Sequence, residues 1–303
     1  ILDEAHKGDK KESKMQHIFS ILSKNGFLFN FSATFDDIRD LVTTCFEYNL
    51  STFIENGYGK KIYISEYEAR AFRDELKEKD KLKIILKAGI LLTYIKKKLE
   101  EIRKVNNSFY HNPLMMVLVN SVNIKKNKKK KNKNLEMLKS DLKIFFDYLR
   151  KIAKGEFERE LIDECKEEIK KDFEEKRNLD IPENDSLNIN FGKISEITYE
   201  DILFYVFNSQ TSGDVEISYN PSNEKEVAFK LITSDVHFGL MKTGDMPPWL
   251  KETLSEFSVN HTFEEEKFFE KINSDDSSIN ILLGSRAFYE GWDSNRPNII
   301  LFI

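Results

Sequence analysis

One uninterrupted apolar run does most to limit the fold of this chain. The run is LMMVLV, within the stretch NPLMMVLVNSVN (residues 112–123), and polar residues bound it on both sides. A strand that is apolar on both faces is typical of the centre of a parallel sheet, because helices cover both faces of such a sheet. The run therefore predicts an α/β domain with this strand in the middle.

Helices and further strands are predicted around this run. Apolar residues recur at spacings of mostly three and four from about residue 75 to 104, which indicates a long helical region that is broken or softened near Gly89. Two more amphipathic helices are predicted at 138–152 and 157–173, and a hairpin at 214–219 and 226–233. Further strands are predicted at 27–35, 61–64, 279–285 and 298–303. This order indicates an α/β fold with a mainly parallel sheet.

Composition excludes several classes of protein. The net charge of −5 does not indicate nucleic-acid binding, so any basic surface has to be local. Cys45 and Cys165 lie far apart in the sequence and form no metal-binding or redox pattern, which suits a reducing cytoplasm. No apolar run approaches the ~20 residues that span a bilayer. We therefore expect a cytoplasmic protein without a membrane partner.

The first candidate site is ILDEAH, at residues 1–6. An acid at the end of a buried strand holds Mg²⁺ through its water shell in phosphoanhydride hydrolysis, and Asp3 has the position for this role. Glu4 would orient and deprotonate the attacking water, and His6 would report the nucleotide state. The alternative is a surface loop with two acids and a histidine.

A second candidate lies 29 residues after Asp3, where FSATF places the small hydroxyl residues Ser32 and Thr34 at a predicted strand end. They would contact the acid–histidine pair and couple hydrolysis to motion. The alternative is an ordinary strand that runs into a polar turn.

The third candidate, GSRAFYEGWDSNRPN (residues 284–298), has the most polar groups. Ser285 ends a predicted strand and is placed to meet a phosphate, and Gly291 permits a tight turn. Asp293 would accept from a nucleotide ribose or a catalytic arginine, and Arg286 and Arg296 are candidate phosphate or acid partners. The alternative is a β-loop-β stretch with a packed tryptophan.

The lysine tract KKNKKKKNK (residues 125–133) is the obvious nucleic-acid candidate by charge. Lysine–asparagine runs more often form solvated loops, so a solvated loop is favoured over a specific DNA contact. His111, His237 and His261 show no spacing typical of metal ligands.

The order DEAH, SAT and glycine-tryptophan-aspartate resembles motifs II, III and V of superfamily 2 helicase-like ATPases. The segments between them, among them GYGKKIYI, YHNPLMMVLVNSVN and GSRAFYEGWDSNRPNI, resemble the restriction subunit of type III restriction-modification enzymes. The resemblance covers nearly the whole chain.

This resemblance implies two RecA-like domains with Mg²⁺-ATP between them. Residues 1–66 would end the first domain, residues 67–108 would form a helical connection, and residues 109–303 would form the second domain, with an insertion near 155–275. The matching site residues are Asp3, Glu4 and His6 for catalysis, Asp3 also for Mg²⁺; Ser32 and Thr34 for coupling; Gly291 and Asp293 for the nucleotide; and Asn120, Ser121, Ser285 and Arg286 for DNA.

The resemblance also implies partners and missing parts. Duplex DNA and a modification methyltransferase would be the partners, and the intact protein would cut DNA with a nuclease domain. No phosphate-binding GxGKT-type loop, arginine-rich last motif or nuclease domain is found in these residues, so an internal fragment is expected. The alternatives are a superfamily 2 DNA or RNA helicase without a nuclease, and a non-catalytic remnant that binds nucleic acid or a methyltransferase.

Overall fold

The computed structural model describes residues 14–32, 35, 38–64, 77–119, 141–174, 189–220, 223–242, 250–251, 257–260, 268–285 and 293–303. The chain divides into two compact units, Ile1–Ile62 and Tyr63–Ile303. The described part of the first unit contains the helices α1 (Lys14–Leu22), α2 (Ile38–Thr43) and α3 (Leu50–Glu55). None of the described helices in either unit combines the length and apolar character needed to cross a membrane.

Two predicted strands, at 27–35 and 61–64, are not observed among the described residues of these segments. Among the described residues of 27–35 only Asn30 forms an isolated bridge, and the Phe27 side chain is 89% exposed. Residues 61–64 have no regular structure. A buried strand needs neighbouring strands to take its backbone hydrogen bonds, and the described residues of this unit form no such ladder.

The second unit is built on a sheet of seven strands, among the residues described. The strands are β1 (Leu114–Val119), β2 (Val215–Asn220), β3 (Asn223–Leu231), β4 (Gly239–Lys242), β5 (Ser258–Asn260), β6 (Ile281–Ser285) and β7 (Pro297–Phe302). Their order in the sheet is β5-β2-β3-β4-β6-β1-β7. The pairs β2–β3 and β3–β4 are antiparallel, and the other four pairs are parallel, which confirms an α/β fold with a mostly parallel sheet. The predicted hairpin is confirmed as β2 and β3, and the strands from residues 155–275 extend the same sheet.

The central strand predicted from the apolar run is confirmed. β1 pairs in parallel with β6 on one side and with β7 on the other. Met115 and Val117 belong to one core cluster, while Leu114 and Met116 belong to a second cluster on the opposite face. Alternate side chains of β1 are therefore buried on both faces of the sheet.

Five of the helices whose bounds are described contribute to the first of these core clusters. They are α4 (Glu78–Val105), α5 (Asp141–Lys154), α6 (Glu160–Glu174), α7 (Phe191–Ser195) and α8 (Tyr199–Phe207). Both predicted amphipathic helices are confirmed: Phe145 and Phe146 of α5 and Cys165 of α6 are fully buried.

The predicted break near Gly89 is wrong, because α4 runs through it for 28 residues. A Cβ at Gly89 would lie 4.0 Å from Ile202 and from Val206 of α8, so this point of the helix is packed. That packing offsets the roughly 1 kcal/mol that a glycine costs inside a helix.

Helices α4 and α6 are joined by a ladder of ion pairs. Each lysine faces an acid 85 positions later in the chain, and the partners advance together by four residues, so the two helices run in the same direction. The ladder consists of Lys79–Glu164 at 3.2 Å, Lys83–Glu164 at 2.9 Å, Lys83–Glu168 at 2.6 Å, Lys87–Glu168 at 3.9 Å and Lys87–Asp172 at 3.1 Å.

Candidate functional site

The carboxyl ends of β6, β1 and β7 meet at one edge of the sheet. Val119, the last residue of β1, pairs in register with Ser285, the last residue of β6. On the other side Leu118 pairs with Phe302 of β7. Strand β6 lies on one side of β1, and β7, the next strand along the chain, lies on the other side. The direction in which strands are added to the sheet therefore reverses at β1. Open α/β sheets bind ligands in the crevice outside the carboxyl ends at such a point.

Two sets of predicted DNA-contact residues come directly after these paired strand ends in the sequence. Asn120 and Ser121 come after Val119 in the sequence, and Arg286 comes after Ser285. The register therefore brings the backbone that leads into both sets to neighbouring positions on one edge.

The remaining predicted site residues differ in how much of them the structure describes. Ser32 is half-buried, Asp293 is exposed, and only the backbone is described at Ser285. The other candidates lie outside the described residues: Asp3, Glu4, His6, Thr34, Asn120, Ser121, Arg286 and Gly291.

The backbone of Asp293 forms a hydrogen bond with a side chain from another segment. Its carbonyl oxygen accepts a hydrogen bond from Asn273 Nδ2 at 2.8 Å, and Asn273 lies in the segment before β6. Ser285 is the last residue of the same strand. The structure thus links Asp293 to the turn segment that precedes β6, while Ser285 ends that strand, and the nucleotide role of Asp293 stays a prediction.

Arg296 has a structural role: its hydrogen bonds go to backbone carbonyls, and the charge of one nearby acid, Asp275, acts on it as well. Its guanidinium is buried and donates Nε to the Asn112 carbonyl at 2.9 Å, Nη2 to the Ile279 carbonyl at 2.6 Å, and Nη1 to the Ile272 carbonyl. Burial lowers the pKa of Arg296 to about 10. Because the guanidinium is buried and its three acceptors are backbone carbonyls, the side chain joins the segments before β1, β6 and β7.

A buried polar cluster near Arg296 was not predicted from the sequence. Lys96 of α4 donates Nζ to the Tyr205 carbonyl at 3.0 Å and to the side-chain oxygen of Asn280. Asn280 Nδ2 in turn donates to the carbonyls of Tyr205 and Val206 at the end of α8. The cluster therefore connects α4 and α8 to the start of β6.

Lys96 as a whole residue is partly exposed, whereas its ammonium group is enclosed. Burial, and secondarily the positive charge of Arg296, lower the pKa of Lys96 to about 7, while Glu100 acts in the opposite direction. Lys96 lies four residues after the buried Leu92 and three before the buried Leu99. That spacing puts the lysine on the apolar stripe of α4 and is the signal that a sequence analysis could use.

No group of three or more histidine, cysteine, aspartate or glutamate residues is arranged to hold a metal ion in the portion of the chain that the structure describes. Comparisons with protein-family models, with curated proteins and with solved structures find no match for this chain.

Proposed function

We propose that this chain is part of the ATP-dependent motor and cleavage subunit of a type III restriction-modification system. The observation that supports this most directly is the pairing of Val119 with Ser285, since these strand ends, which lead into the two candidate DNA-contact segments, lie side by side at one edge of a parallel sheet. The sequence order of DEAH, SAT and the glycine-tryptophan-aspartate segment adds to it. The second unit then corresponds mainly to the second RecA-like domain.

At this edge the chain would contact the DNA backbone. Hydroxyl, amide and backbone N–H groups at strand ends bind phosphate and sugar oxygens without reading sequence, and an arginine adds a charged contact. Asn120, Ser121, Ser285 and Arg286 would supply these groups. Sequence recognition would belong to the methyltransferase partner, and cutting to a nuclease domain outside these residues.

Mg²⁺-ATP would provide the energy for movement along DNA. The Mg²⁺ ion would neutralise charge on the transferring phosphoryl group. Asp3 would hold the water shell of the ion, Glu4 would orient the attacking water, and His6 would respond to the nucleotide. Ser32 and Thr34 would couple this state to the second domain, where Gly291 and Asp293 would contact the nucleotide. Such a protein would work in the cytoplasm.

Duplex binding by the purified chain tests the proposed DNA contact. We expect Arg286→Ala to weaken binding of a labelled duplex and to lower the slope of log affinity against log salt by about 1. The measurement is fluorescence anisotropy between about 50 and 200 mM salt. A matched control is Lys104→Ala, which removes an exposed cation from the last turn of α4.

The proposed contact would be wrong if Arg286→Ala bound duplex DNA as the wild-type chain does. If neutralising the lysine tract at 125–133 also removed all duplex binding in that case, the lysine tract would be the DNA contact instead.

A further inference from the structure

Two cationic side chains lie near each other in the interior of the second unit. The Lys96 ammonium donates to the Tyr205 carbonyl at 3.0 Å and to the side-chain oxygen of Asn280. The Arg296 guanidinium donates to backbone carbonyls, one of which belongs to Ile279, the residue before Asn280. Within the described part of the chain, neither cation hydrogen-bonds to a carboxylate. Enclosed cations of this kind are unusual, because a buried lysine or arginine is normally paired with an acid.

Of these two cations, only the lysine can lose its proton, since an arginine stays charged in proteins. Loss of the proton removes the repulsion between Lys96 and Arg296. The neutral amine still has two N–H groups, which match its two acceptors. Burial and the charge of Arg296 accordingly lower the pKa of Lys96 to about 7. The closed cluster therefore favours the neutral lysine.

The Lys96 side chain holds a junction of three elements. Its partner Asn280 donates Nδ2 to the Asn208 side-chain oxygen at 2.8 Å. Asn208 ends α8 with a left-handed φ of 53°, and its own amide donates to carbonyls of the segments before β4 and β6. Lys96 thus joins α4 to the end of α8 and to the start of β6. Because Lys96 as a whole residue is partly exposed, its ammonium has only a short path from the cluster to water.

Other charged and titratable groups surround this junction. Glu100 of α4 accepts a hydrogen bond from the Tyr205 hydroxyl at 2.9 Å, and its charge favours the protonated lysine, but burial outweighs it. Burial raises the pKa of Tyr205 to about 12, so this hydroxyl keeps its proton up to pH 9. Lys97 of α4 is paired with Asp201 of α8 at 2.7 Å. The remaining groups are Arg296, Asp275, whose charge acts on Arg296, and His237, whose carbonyl accepts from Asn208.

We propose that Lys96 is a proton-sensitive latch between α4, α8 and β6, which is closed with a neutral lysine and opens when the lysine takes up a proton and turns to solvent. Because opening binds a proton, the open population rises as the pH falls, by up to about tenfold per pH unit between pH 10.5 and 7. The latch opens within the folded chain. It lies beyond the proposed function and needs neither DNA nor ATP.

Native-state hydrogen exchange of the whole chain between pH 7 and 9 tests the latch. The reporters are the amides of Ser209 and Asn280, which donate to the carbonyls of Leu203 and Phe238 at 3.0 and 2.7 Å. After correction for intrinsic exchange rates, their protection should rise roughly fiftyfold from pH 7 to pH 9. It should also stay below the protection of the Ile169 amide, buried in α6, because the junction opens without unfolding.

Three variants separate the proton from the rest of the lysine. Lys96→Met keeps the alkyl stem but binds no proton, so protection at the reporters should not change with pH. Lys96→Arg stays charged at every pH, so protection should be low and should not change with pH either. Lys97→Met is the matched control, because it removes the neighbouring lysine and should retain the full rise. Circular dichroism of every variant checks the fold.

Wild-type protection at the reporters that stays constant from pH 7 to 9 overturns the proposal, and this result does not depend on how the variants fold. So does a rise that persists in Lys96→Met. Equal protection of the reporters and of Ile169 at every pH overturns it too, since the junction would then open only when the chain unfolds.

The two proposals fail separately. Loss of the Arg286 effect on duplex DNA removes support for the motor function only, and constant protection at the reporters removes the latch only.

Discussion

At the scale of single residues, Arg296 has a structural role that a stability measurement can test. We predict that Arg296→Met lowers the free energy of unfolding by roughly 2–4 kcal/mol, because the carbonyls of Asn112, Ile272 and Ile279 lose a buried donor. Urea denaturation measures this. Arg296→Lys should restore little, since one ammonium cannot reproduce the planar fork. Full stability of Arg296→Met would contradict the assignment.

The lowered pKa of Lys96 predicts that the stability of the folded chain depends on pH. Its pKa in the folded chain is lowered from 10.5 to about 7, mainly by burial. Between these values the unfolded state binds a proton that the folded state does not, so this residue makes stability rise as the pH rises from 7 to 10.5. Lys96→Met should remove that rise and leave the slope below pH 7 unchanged. Parallel stability–pH curves for the two chains would contradict the prediction.

A substitution at Gly89 is expected to raise the stability of the folded chain. Gly89→Ala should raise the free energy of unfolding by about 1 kcal/mol, because alanine is the better helix former. The new methyl group meets Ile202 and Val206 at 4.0 Å, which is ordinary contact distance. Thermal denaturation tests it, and a lower melting temperature would mean that the α4–α8 contact is tighter than the structure indicates.

At the scale of elements, the ion-pair ladder holds α4 against α6. The pKa of Lys83 is raised by hydrogen bonds to Glu168 and Glu164, and its side chain is only 17% exposed. We expect Lys83→Met to cost about 1 kcal/mol at low salt, and less at about 1 M salt, where screening weakens the pairs.

Lys79→Met is the control for the ladder, because this lysine is 54% exposed at the end of the row and should contribute only a few tenths of a kcal/mol. A Lys83→Met effect that did not change with salt would mean that packing of the alkyl stem, and not charge, stabilises the contact.

At the scale of the whole molecule, the proposed motor needs more than the 303 residues contain. We predict that this chain alone hydrolyses no ATP above background, because its sequence has no glycine-rich phosphate loop ending in Gly-Lys-Ser or Gly-Lys-Thr. A phosphate-release assay with Glu4→Gln as control tests this. Robust release that depends on Glu4 would contradict it.

The sequence by itself determined the α/β class, the central strand and the amphipathic helices of the second unit. The reason is that the burial of β1 on both faces and the apolar stripe of α5 are repeated patterns, each readable within a short window. The same kind of pattern gave a wrong prediction in the first unit. The apolar stretch at 27–35 predicted a strand, but its described residues pair with no neighbouring strand.

Only the tertiary structure decided which polar residues are structural. Arg296 lies beside a motif and looks like a ligand contact, yet its three acceptors come from residues 112, 272 and 279, which are distant in sequence. Lys96 lies within a run of lysines, yet its ammonium is enclosed by α8 and Asn280. A local pattern specifies which face of a strand or helix is apolar, but the partner of a polar group depends on which distant segments pack against it.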